Sequence, residues 1–191
     1  MAGPPLMGVA DTYGIELVHP YREGRSPKQI GKKGFCNHRW IVGVKLGLVL
    51  NKWGLVSGWD CQTANVHDGA FQPMLAAFED RMGVLTDRGF YLTFYLTFYL
   101  TSGNPANMLV CKRGEWNTRM WNTRMMIETV LSMLHTVCHI KHMAHRVWSY
   151  LLARLAFCIA AFSILAQWHW HNGPVADEHG RVHLSIAEFS L

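Results

Sequence analysis

The sequence predicts an α/β domain, a mixed sheet of about five strands flanked by helices, and three observations carry that prediction. Short β-branched and apolar runs separated by turn residues fill the first half of the chain. Two of these runs end on an aspartate. The second half holds two long stretches in which apolar residues recur every three or four positions.

In chain order, Gly8-Val9-Ala10-Asp11-Thr12 reads as the end of a short strand with an acid at its tip, and residues 20–38 as a basic loop outside the core. Ile41, Val42, Val44, Leu46, Leu48 and Val49 predict a strand from Arg39 to Leu50. After the turn Asn51-Lys52-Trp53-Gly54, its hairpin partner runs from Leu55 to Cys61. Asp68 is placed to cap a helix whose apolar face is Phe71, Met74, Leu75, Phe78 and Met82, ended by Gly83. Val84-Leu85-Thr86-Asp87 is again a short strand with an acid at its tip, and Met108 to Cys111 a fifth strand. Residues 121–139 predict a helix carrying Glu128 and His135 two turns apart. Residues 144–168 predict the last helix, and 169–191 a surface tail, so that residues 1–168 form one domain.

The chain has 191 residues, 50% of them hydrophobic, enough for one core. Lys and Arg outnumber Asp and Glu by 18 to 13, which favours polyanionic partners. Cys36, Cys61, Cys111, Cys138 and Cys158 are odd in number and form no CxxC pair, which argues against a disulfide framework or zinc ribbon and for a reducing cytoplasm. Residues 1–10 do not form a signal peptide. Residues 147–168 resemble a membrane span, but Arg154 near their middle costs roughly 2.5–3.5 kcal/mol in a bilayer. They read as a buried core helix with no membrane partner, the alternative being a small membrane protein built around them.

Two tandem repeats stand out: Phe-Tyr-Leu-Thr three times over residues 90–101, and Trp-Asn-Thr-Arg-Met twice over residues 116–125. Units this short are not solenoid repeats and read as in-frame duplications. An aggregation-prone β segment is the competing reading of the first.

Asp11, Asp87 and Glu128 form a set of oxygen donors suited to Mg²⁺. Two such ions about 3.5–4 Å apart can activate a nucleophile and stabilise a leaving alkoxide in phosphodiester chemistry. Any three acids can be chosen from 13, so context matters. Asp87 lies in Leu85-Thr86-Asp87-Arg88-Gly89-Phe90, and Glu128 follows Trp121 and Arg124 and precedes His135.

With these residues the chain resembles the bacterial insertion-sequence transposases of the Asp-Asp-Glu type. In that group the third acid sits in a signature of Tyr, two residues, Arg, three residues, Glu, six residues and Lys. Trp121, Arg124, Glu128 and His135 keep all three spacings, with Trp and His in the Tyr and Lys places. Arg22, Gly43-Val44-Lys45-Leu46 and Thr63-Ala64-Asn65-Val66-His67-Asp68 follow Asp11 in the order of further landmarks. The resemblance spans most of residues 8–168. It implies an RNase-H-like fold, a catalytic triad of Asp11, Asp87 and Glu128 holding two Mg²⁺ or Mn²⁺ ions, and cleavage and joining of DNA by a homodimer in the bacterial cytoplasm, with no small-molecule substrate. DNA contacts are expected at Arg124, His135, Trp121, Lys45 and Arg22, with His135 a weaker phosphate ligand than Lys.

Other features have plainer readings. Asp68 and His67 read as a helix cap and its neighbour rather than as ligands. His135, His139, His142 and His145 with Cys138 offer zinc donors, but a basic or ordinary surface helix explains them without a metal. Arg22, Arg25, Lys28, Lys32, Lys33, Arg39 and Lys45, interleaved with Phe35 and Trp40, form either a phosphate-binding stripe or a solvated loop. Only ten residues precede Asp11, where the resemblance implies a sizeable end-binding region, so an N-terminally truncated catalytic core starting at an internal Met is expected. The repeats stretch the Asp87 to Glu128 interval, close to chemistry in which displacement by about 1 Å can cost about 10²-fold in rate. The alternative function is therefore an inactive remnant that only binds DNA.

Overall fold

The structure, a computed structural model, describes residues 6–36, 38–90, 104–110, 118–141 and 143–172, with backbone only at residues 6, 118–124 and 169–172. Its strands are β1 (Leu6–Val18), β2 (Lys32–Cys36), β3 (Arg39–Asn51), β4 (Val56–Thr63), β5 (Met82–Thr86) and β6 (Met108–Val110). Its helices are α1 (Gln72–Ala76), α2 (Thr118–Cys138) and α3 (Trp148–Asn172).

β3 is the centre of the sheet because its apolar run is continuous. Ile41 through Leu50 are all buried, a pattern that needs cover on both faces. One edge of β3 pairs antiparallel with β1, and the other is shared by β2 and β4. β5 joins the far edge of β1 in parallel and β6 joins β5 in parallel, giving the path β2-β3-β1-β5-β6.

The period of two divides the side chains between two cores. Val9, Ile15, Val44, Leu46 and Leu48 face α2 and α3, where they meet Ile127, Leu134, Leu151 and Leu155. Ala10, Val49, Val84 and Phe90 face the other way, against Phe71 and Leu75 near α1. This mixed sheet flanked by helices is compatible with the expected RNase-H-like fold.

Several expectations need correction. The basic stretch 20–38 is not all loop: residues 32–36 pair with β3 and add a sixth strand to the expected sheet. Gly34 and Cys36 are buried there, and glycine at residue 34 lets the strand pack directly on the Ala64 carbonyl. β1 is thirteen residues long, so Asp11 lies within the strand and not at its tip. The helix expected from Asp68 to Met82 is a 3-10 turn, Asp68–Phe71, followed by the five residues of α1, and Met82 already belongs to β5. Its cap is His67, whose Nδ1 accepts the Gly69 N–H at 3.1 Å, so Asp68 is released for another partner.

α3 begins at Trp148 rather than at 144 and continues to Asn172, past the expected boundary at 168. It is not wholly a core helix. Leu151, Leu155, Ile159 and Phe162 are buried, whereas Tyr150, Phe157, Ile164 and Trp168 are exposed. By length and composition Trp148–Trp168 could also cross a membrane. The Phe-Tyr-Leu-Thr repeat beyond Phe90, Cys111, His142 and the tail from residue 173 lie outside the described residues.

Candidate active site

Asp11 and Asp87 are brought together by strand register. Every pair in the parallel β1–β5 ladder, from Leu6↔Met82 to Val9↔Leu85, is offset by 76 residues; Asp11 and Asp87 each follow the last pair by two residues, and both line one small pocket with Val9, Leu85 and Ile127. Adjacent strands lie about 4.8 Å apart. Alternation puts both carboxylates on the side of Val9 and Leu85, which is the side covered by α2. β5 ends at Thr86 while β1 continues along β3 to Val18, so the edge of β1 beyond Asp11 is released by β5 and opens a cleft.

That cleft, of about 600 Å³, is lined on the β1 side by Asp11, Thr12, Tyr13 and Gly14, and at its other edge by Asp87. α2 supplies Glu128, Leu131, Ser132 and His135, and the β2–β3 hairpin supplies Phe35, Cys36 and His38. The α2 spacing is the reason for its contribution: Ile127, Val130, Leu131 and Leu134 are buried against the sheet, which turns Glu128 and His135 toward the cleft on the adjoining face.

Both aspartates are held by backbone. Thr12 N–H donates to Asp11 Oδ1 at 2.7 Å and Gly89 N–H to Asp87 Oδ1 at 2.8 Å, in the 3-10 turn Arg88–Phe90. A third carboxylate, Asp68, accepts from Lys45 Nζ at 2.7 Å and from Thr12 Oγ1 at 3.0 Å. Gly89 separates Asp68 from Asp87. A Cβ there would lie 2.5 Å from Asp68 Oδ2 and 3.1 Å from Asp87 Oδ1, so glycine lets the two acids stand this close.

The donor chemistry fits a hard divalent cation: four carboxylates, Asp11, Asp68, Asp87 and Glu128, line one cleft, with no thiolate pair competing. Cys36, also in the lining, has its thiol pushed up by burial, partly offset by the charge of Lys45, and so stays protonated at neutral pH. Among the described residues, no group of three or more His, Cys, Asp or Glu side chains is gathered at one point, for zinc or for any other ion. The four acids share the cleft without converging.

Of the residues singled out from sequence, Asp11, Asp87, Glu128, His135 and Lys45 all line this cleft. Lys45 is buried and its ammonium is committed to Asp68 and to the Val66 carbonyl at 2.9 Å. Arg22 is exposed on a 3-10 turn, Pro20–Arg22, and is not part of the lining. Trp121 and Arg124 lie on α2 with side chains outside the described residues. Exposed Phe35 and Trp40 meet edge-to-face at 5.6 Å, with Lys33 Nζ 5.9 Å from the Trp40 ring, so the anticipated basic and aromatic interleaving exists on the β2–β3 hairpin.

Sequence reasoning missed Asp68 as a cleft residue, and Lys141 altogether. Lys141 Nζ lies 5.2 Å from the Tyr13 ring centre. It follows a chain reversal at His139, whose φ is 51°, and no helical spacing rule reaches across such a break. Asp68 had a signal in His67, which can take over the cap.

The chain matches the family model of the transposase DDE domain over residues 7–148, about three quarters of its length. Comparison with curated proteins and with solved structures returned no match.

Proposed function

The chain belongs to the transposase DDE-domain family, and from that premise we propose that it is a catalytic domain that cleaves and joins DNA for an insertion sequence, with Asp11, Asp87 and Glu128 holding two Mg²⁺ or Mn²⁺ ions. The observation that supports this reading is that Asp11 and Asp87, each two residues past the end of the β1–β5 ladder, line one cleft with Glu128 of α2. When bound, the ions would activate a water or 3′-hydroxyl and stabilise the leaving alkoxide.

The remaining work falls to the protein. The Thr12 and Gly89 N–H groups orient the two aspartates, each by one oxygen. Glu128 closes the site from α2. Lys141 places a cationic group, and His135 an imidazole, along the cleft where a phosphate backbone would lie, and Arg124 is one turn before Glu128 on the same helix. The exposed Lys33, Phe35 and Trp40 of the hairpin extend a surface suited to nucleic acid. The full reaction takes two copies acting on paired ends, in the bacterial cytoplasm.

A second reading, a remnant that binds DNA without cutting it, is favoured by the fact that the acids do not converge. Nicking of supercoiled plasmid in Mg²⁺ or Mn²⁺ separates the two. We expect nicking by the chain and none by Asp87→Ala. Salt-dependent DNA binding without nicking in either metal would establish the remnant. Equal nicking by chain and variant would remove Asp87 from the site.

A further inference from the structure

We propose that the outward face of α3 is a self-pairing surface on which a second copy of this chain docks, its own α3 running antiparallel about a two-fold axis. This gives a surface to the two-copy requirement above, but it rests on α3 alone and not on the chemistry of the cleft.

α3 is apolar on two sides. Its inner side is buried against the sheet and α2, while Tyr150 is 67% exposed, Phe157 73%, Ile164 65% and Trp168 69%. With the exposed Arg154 and Ala161 these residues occupy positions 150, 154, 157, 161, 164 and 168, spaced alternately by four and three. That is the 3.5-residue period of a seam between two helices, distinct from the set that serves the protein's own core. Taking about 200 Å² for each aromatic side chain, the patch is roughly 600 Å² on one copy, at the upper end of the largest patch a typical monomer exposes, which is often functional. Two copies would cover roughly 1,200 Å², the lower bound of a specific stable interface.

The order of residues along the seam selects the partner and its direction. Reflected about position 159, as a two-fold axis requires, Phe157 meets Ala161 of the second copy, Tyr150 meets Trp168, and Arg154 meets Ile164. Large is set against small at the centre and aromatic against aromatic at both ends. The stem of Arg154 can lie along Ile164 with its guanidinium at the wet rim. Parallel pairing would instead set Arg154 against Arg154 and Phe157 against Phe157, a like-charge contact beside an overfilled one. Residues 148–172 contain no Asp or Glu to relieve that repulsion.

The test is sedimentation of the full chain over a concentration series. We expect a reversible dimer that Phe157→Ala weakens at least about tenfold, as loss of a central aromatic anchor does. Ala161→Phe should weaken it by crowding the same pocket. The double variant Phe157→Ala with Ala161→Phe should restore it by exchanging large for small. Both positions are exposed, so circular dichroism should be unchanged in all three variants, as should melting at concentrations low enough that every chain is monomeric. A monomer throughout overturns the proposal, as does a dimer indifferent to the substitutions. Flotation of a monomeric chain with phosphatidylcholine vesicles would assign the face to lipid instead. A monomer with the face protected from hydrogen exchange would assign it to the chain's own tail. Plasmid nicking is scored separately: a dimer that does not nick leaves this inference standing, and a monomer that nicks leaves only the active-site reading.

Discussion

Lys45 Nζ lies 2.7 Å from Asp68 Oδ1, and the pair is closed in by the Val66 carbonyl and the Thr12 hydroxyl. Removing the cation strands a carboxylate against the sheet. We expect Lys45→Met to cost about 2–3 kcal/mol in urea denaturation, less than a fully buried pair because the Asp68 side chain keeps 24% of its exposure. An unchanged midpoint with weakened DNA binding would instead make Lys45 a phosphate ligand.

Gly34 packs where no side chain fits. A Cβ would lie 1.9 Å from the Ala64 carbonyl oxygen and 2.8 Å from the Asn65 nitrogen, both backbone atoms that cannot rotate aside. Gly34→Ala should cost about 3 kcal/mol by overpacking and strip hydrogen-exchange protection from β2 first. If β2 amides stay protected, the close approach of β2 to residue 64 is wrong.

Thr86 is 3% exposed, and its Oγ1 has no hydrogen-bond partner among the described residues. The valine isostere removes a buried unsatisfied hydroxyl, so Thr86→Val should raise stability by about 1 kcal/mol. A lower melting temperature would reveal a bridging water that the hydroxyl needs.

Burial, reinforced by the charge of Asp60, pushes the Cys61 thiol from 9.0 up to about 12. Below pH 9 the thiol is protonated in folded and unfolded chains alike and its contribution is fully present. Above pH 9 only the unfolded chain releases the proton, and stability falls by about 1.4 kcal/mol per pH unit until the folded thiol ionises near 12. Between pH 9 and 11, Cys61→Ala should lose melting temperature less steeply than the parent chain. Parallel slopes would mean that the thiol is not shielded.

Long apolar runs made the central strands and α2 legible: Arg39 to Leu50 and residues 121–139 agree with β3 and α2 to within a few residues. The acids at the ends of apolar runs pointed to the cleft, because strand parity and helix spacing are local rules. What sequence could not show was set by long-range pairing. β2 hides in a basic stretch because its outward residues Lys32, Lys33 and Phe35 are exposed, and only the alternate Gly34 and Cys36 pack inward. Asp68 was assigned a capping role that His67 fills, since two adjacent residues can both cap and only the fold chooses. Lys141 arrives at Tyr13 by a reversal that has no period.

Because β6 lies parallel to β5, the chain must travel back along the sheet between Thr86 and Met108, a connection of 21 residues. A parallel return needs a dozen or more residues whatever its sequence. Without two of its Phe-Tyr-Leu-Thr units, eight residues, the connection would still have 13. The duplication therefore fell in a part of the chain whose length is bounded from below and not from above.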